Sequence, residues 1–170
     1  MTALRNLLDK TISAVCCFLF ALMVIIGTYQ IITRYVFNSP STISEELLTY
    51  SFTWMSLLIS AYVFGKRDHM RVAFLADKLT GTPKKILDSV IEALTVVVSA
   101  IVFFYGGLTI MSLTMSQKTA SLGVSMGTVY TVVPITGALI CIYGVMNIID
   151  IMNGVDRKKL AQEAKGEAQS

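Results

Sequence analysis

Four long apolar blocks dominate this chain, and the centre of each is free of Asp, Glu, Lys, Arg and His. A soluble domain has no place for several such blocks, whereas a bilayer asks for about 20 apolar residues per crossing helix. In hydrocarbon the backbone must satisfy its own hydrogen bonds, and a helix does so within one segment. Charged residues make up 15% of the chain, below the roughly 25% of soluble domains. Mean hydropathy is +0.67. The expected fold class is therefore all-α: an integral membrane four-helix protein forming one domain over residues 1–170.

The blocks and their punctuation place the spans at about residues 11–37, 43–64, 84–115 and 128–152. The first and third are longer than an upright crossing needs, so they should tilt or project. The first block is also too long for a signal-peptide core and has no small-x-small cleavage pattern, so it reads as a retained span. Asn38-Ser39-Pro40 breaks the chain after it. Thr42 and Glu45 have capping-box spacing for the second span, and Gly65 suits its C-terminal cap. Gly106-Gly107 permits a bend or a close contact in the third span, and Pro134 with Gly137 invites a kink in the fourth. Between spans two and three, Val72, Leu75, Ala76 and Leu79 share one helical face. This predicts a short amphipathic helix at about residues 71–79, lying at the membrane interface against lipid, with an ordinary loop as the alternative. Residues 153–170 form a polar tail.

Twelve of the fourteen lysines and arginines lie in the N-terminal flank, the middle connection and the tail. The other two connections hold only Arg34 and Lys118. Under the positive-inside rule both termini and the middle connection are cytoplasmic. A net charge of +3 with its basic residues at membrane edges gives no nucleic-acid surface.

The chemistry-bearing residues are few. Cys16, Cys17 and Cys141 lie inside apolar spans and read as small packing residues. His69, the single histidine, lies in the middle connection, so a haem held by two histidines within the membrane is excluded. No nucleophile–base set and no metal spacing is present, so the sequence predicts no enzyme, no catalytic residue, no cofactor and no metal site. The charges that approach the membrane cluster at its edges. Arg34 closes the first span, and Glu45 and Glu46 open the second on the same side. They either pair across the turn, locking it or docking a partner, or stay solvated. Asp88 and Glu92 share a face in the third span; Asp88 is in reach of Lys84, while Glu92 lies deeper and calls for a partner on another helix. Trp54 lies about 18 Å into the second span, where its N–H needs an acceptor. It packs on a helix of this chain or a partner, or faces lipid.

The stretches RYVFNSP and SEELLTYSFTWMSLLISAYVFGKRDHMRVAFLADKL resemble the small, four-span Q-type membrane subunit of TRAP transporters (tripartite ATP-independent periplasmic transporters), as does SLGVSMGTVYTVVPITGALI. The spacing E-E-x-x-x-Y-x-x-x-W, here Glu45, Glu46, Tyr50 and Trp54, carries much of the likeness. The resemblance implies a bacterial inner-membrane complex. A large multi-span M-type subunit holds the substrate and sodium ions, and a periplasmic binding protein delivers an organic acid of the sialic acid or C4-dicarboxylate class. The small subunit acts as a scaffold with no substrate site of its own. Arg34, Glu45, Glu46, Tyr50, Trp54 and Glu92 are then the candidates for partner contact or structural roles. Two other classes compete. A stand-alone multidrug-type efflux transporter acting as a homodimer would want a carboxylate within the first span, and residues 11–37 have none. A disulfide or quinone redox protein would want paired cysteines in the outer connections, which hold none.

Overall fold

A computed structural model of the chain describes residues 2–66 and 82–152. The predicted interfacial helix at 71–79, His69 and the tail at 153–170 lie outside the described residues, as does the side chain of Lys84. Among the described residues, six α-helices and one π-helical turn make up four candidate membrane spans. Helix α1 (Thr2–Tyr35) is the first span and α2 (Thr42–Lys66) the second. The third comprises α3 (Thr82–Ser99), a π turn (Ala100–Tyr105) and α4 (Gly106–Thr114). The fourth comprises α5 (Met126–Tyr130) and α6 (Val132–Met152). The 34 residues of α1 make a rod of about 50 Å, well beyond the ~30 Å hydrocarbon thickness.

Helix α6 is the centre. Half of the apolar stretch of the fourth span is buried inside the protein, compared with 6% in the first and in the third. Helices α2 and α3 both pack on α6, and α1 packs on α2. The small core joins Ile12, Leu58, Val132 and Tyr143, with Leu19, Trp54 and Leu57 packed against it.

Local chemistry sets the boundaries. Asn38 adopts a left-handed conformation (φ 48°), which asparagine tolerates, and this ends α1. The cap of α2 is one residue earlier than the predicted box. The Ser44 N–H donates to Ser41 Oγ at 3.4 Å, and the Glu45 N–H donates to the Ser41 carbonyl at 3.3 Å. Ser41 therefore caps the helix, which leaves the Glu45 side chain available for another helix. Gly65 is not a cap, because α2 continues through Lys66. A Cβ on Gly65 would lie 2.6 Å from the Tyr143 ring, so the glycine is there for close approach.

The third span departs from α geometry in the six residues before Gly106-Gly107, where one turn widens to π. That turn presses backbone against α6: a Cβ on Gly137 would stand 2.6 Å from the Phe104 nitrogen. The fourth span breaks at Thr131. Pro134 three residues later has no N–H and its ring crowds the preceding turn, which is the cause of the break.

Candidate functional site

Two polar junctions tie the spans together, one at each end. At the end carrying Arg34, the turn between α1 and α2 meets the connection between α4 and α5. Glu46 is the hub. It accepts from the Tyr50 hydroxyl at 2.7 Å, the Ser121 N–H at 2.9 Å and the Leu122 N–H at 2.8 Å. Tyr50 and Glu46 are one helical turn apart, so the tyrosine holds one carboxylate oxygen while the other binds the loop. The loop itself is closed by Thr119 N–H to Val124 O at 2.8 Å and Met126 N–H to Gln117 O at 2.8 Å. Glu45 is exposed and accepts from Gln30 Nε2 of α1 at 3.1 Å. The proposed pair between Arg34 and a carboxylate is not formed: Arg34 is exposed and makes no ion pair among the described residues. Gln30, one turn earlier on the same face of α1, stands at the level of the α2 start and takes that role. Deeper in, Trp54 Nε1 donates to the Val129 carbonyl at 3.0 Å, just before the break at Thr131.

The junction at the opposite end is one that the sequence marks only at Glu92, whose expected partner on another helix is Asn147. Arg5, read from sequence as a membrane flank, is only 5% exposed. Its Nη1 donates to Asn147 Oδ1 at 2.9 Å and lies 3.4 Å from Asp150 Oδ2, and its Nη2 donates to the Gly65 carbonyl. The guanidinium also stands 5.8 Å from the centre of the Tyr143 ring. The Tyr143 hydroxyl donates to Asp9 Oδ1 at 2.6 Å, and Asn147 Nδ2 donates to Glu92 Oε1 at 2.6 Å. All four spans thus meet here: Arg5 and Asp9 from α1, Gly65 from α2, Glu92 from α3, and Tyr143, Asn147 and Asp150 from α6. Asn147 and Asp150 were the available signal. Polar residues three apart on the same face, near the end of an otherwise apolar span, face protein rather than lipid.

Of the sequence candidates, Glu46 and Tyr50 come together at one junction, with Glu45 beside them and Trp54 one layer deeper. Glu92 belongs to the other junction, and Arg34 joins neither. Both junctions hold helices in place. Around the buried Arg5, charge-assisted bonds of this kind contribute about 1.5–3 kcal/mol each, and a buried partner left single would cost more.

The sequence pattern of the family described as tripartite ATP-independent periplasmic transporters, DctQ component, matches residues 23–154. The chain belongs to this family. Arg5 and Asp9 lie before the matched stretch, and Glu46, Trp54, Glu92, Asn147 and Asp150 lie within it. Among relatives, a TRAP transporter small permease protein of Haemophilus influenzae is 29% identical over 97 residues, covering 57% of this chain and 60% of the relative. The sialic acid TRAP transporter small permease protein SiaQ of Vibrio cholerae is 26% identical over 154 residues, covering 88% of this chain and 86% of the relative. A second H. influenzae small permease protein is 26% identical over 123 residues. As a DctQ-family protein the chain is a TRAP small permease subunit, a transporter component of the inner membrane and not an enzyme. Its four apolar helices fit a multi-pass protein.

Proposed function

We propose that this DctQ-family subunit is the rigid scaffold of a sodium-driven importer. A large multi-span subunit carries the organic acid and the sodium ions, and a periplasmic binding protein delivers the substrate. The observation that supports this reading most is the pair of junctions. Polar bonds tie the spans to one another at both ends. A carrier that alternates its access must open at each end in turn, and this arrangement suits the part that stays still. The basic end, with Arg5, Lys10 and Lys66, faces the cytoplasm in this proposal. The substrate is an organic acid of the sialic acid or C4-dicarboxylate class; the name of the V. cholerae relative makes sialic acid the first compound to test.

The experiment is reconstitution. Liposomes holding this chain with its large subunit, supplied with binding protein and a sodium gradient, should accumulate the acid, while liposomes holding this chain alone should accumulate nothing. Gradient-driven uptake by the chain alone would overturn the scaffold reading.

A further inference from the structure

A thioether holds the base of the connection between α4 and α5. Met115 caps α4, and its sulfur is seated against α5. A Cβ on Gly127 would stand 2.6 Å from Met115 Sδ, 2.7 Å from the Met111 carbonyl and 3.0 Å from Met115 Cα. Gly127 is buried, so the glycine leaves a notch that the sulfur fills. The Ser125 hydroxyl donates to the Met115 carbonyl at 2.7 Å and stands 3.5 Å from Sδ. Beside this contact the chain closes on itself: the Met126 N–H donates to the Gln117 carbonyl and the Thr119 N–H to the Val124 carbonyl, both at 2.8 Å. Met115, Ser125 and Gly127 thus latch the base of a loop whose tip is held by Glu46.

This latch is open to attack. Met115 is 52% exposed, while Met111 and Met126 beside it are only partly exposed. Their sulfurs also face hydroxyls, Thr131 on Met111 Sδ at 3.6 Å and Tyr50 on Met126 Sδ at 3.7 Å. Met152 is more exposed still, but it ends α6 at the other junction. An accessible thioether reacts with two-electron oxidants such as hydrogen peroxide or hypochlorous acid. One oxygen of the peroxide bonds to Sδ, the sulfur gives up two electrons, and the peroxide leaves as water; hypochlorous acid leaves as chloride and a proton. The sulfoxide is polar where the thioether was apolar, and it no longer suits a notch made of glycine backbone. Water at this half-exposed position draws it out, and the Ser125 hydroxyl gains a stronger acceptor to follow.

We propose that Met115 is a reversible oxidation site, and that its sulfoxide unlatches the base of the 117–126 loop. This goes beyond the transport role and does not depend on it. A methionine sulfoxide reductase takes two electrons from a dithiol, releases the oxygen as water and restores the thioether, so the latch can close again.

The test uses the full-length protein in lipid nanodiscs, titrated with hydrogen peroxide. Peptide mass spectrometry should show one added oxygen at Met115 at doses that leave Met111 and Met126 unmodified. Amide exchange at Thr119 and Met126 should lose its protection in step with that oxygen, and regain it once the reductase and its dithiol are added. Met115→Leu, which refills the notch without sulfur, should keep its protection at the same doses. Oxidation of Met111 or Met126 ahead of Met115 would overturn the assignment. So would a Met115 sulfoxide that leaves protection unchanged, or a loss in Met115→Leu equal to that of wild type. Protection that stays lost after the reductase has removed the oxygen would overturn the reversible latch.

Discussion

Arg5 is the side chain on which most depends. Its guanidinium is buried among Asn147, Asp150 and the Gly65 carbonyl. Removing one member of a buried ion pair typically costs about 3–5 kcal/mol, because the other charge stays behind. Arg5→Met should therefore unfold markedly earlier in a detergent melt, and Arg5→Met with Asp150→Leu should regain most of the loss. A single variant as stable as wild type would show that the pair contributes nothing. Glu46 and Glu45 should behave differently despite being adjacent. Glu46 holds two loop N–H groups and a tyrosine hydroxyl, while Glu45 is exposed and holds one amide. Glu46→Ala should lower the melting temperature and speed hydrogen exchange at Ser121 and Leu122, whereas Glu45→Ala should change either by little. Equal effects from the two would contradict the geometry. The sequence marked both carboxylates but could not separate them, since the Glu46 acceptor role depends on a loop 75 residues away. Arg5 was less legible still. A basic residue before an apolar run is the ordinary mark of a membrane flank, and its side-chain partners are 142 and 145 residues distant.

The helices themselves were readable, because apolar blocks between turn residues leave few alternatives in lipid. Finer features were readable only where one residue type forces them. Pro134 announced the break that falls at Thr131. The cap of α2 was placed one residue late because Ser41 and Thr42 are both able to cap, and backbone position, not residue type, decides between them. The π turn had no sequence mark beyond the glycine pair that follows it. Its consequence is tight contact with α6, so Gly137→Ala, whose Cβ would stand 2.6 Å from the Phe104 nitrogen, should part the third and fourth spans. The expected penalty is about 1–3 kcal/mol in a detergent melt. An unchanged melting temperature would mean that these helices slide apart freely.

Across the whole molecule, basic charge gathers at one end, and this predicts orientation. Reporter fusions at residue 1 and in the 67–81 connection should be active only as cytoplasmic reporters, and one placed at Lys118 only as a periplasmic reporter. The opposite pattern at Lys118 would reverse the topology. The junction at Arg5 also has a meaning for how the protein is made. The first helix leaves the ribosome with its arginine, but Asn147 and Asp150 arrive only after two further spans, near the end of the fourth. Until then a nascent chain carries a cation without its fourth-span partners, and a chain halted before Asn147 never gains them. Such stalled products should be cleared by membrane proteases faster than the complete chain in a pulse-chase, and Arg5→Met should erase that difference. The same bond that closes the fold would then serve as the cell's sign that translation has reached the end of the fourth span.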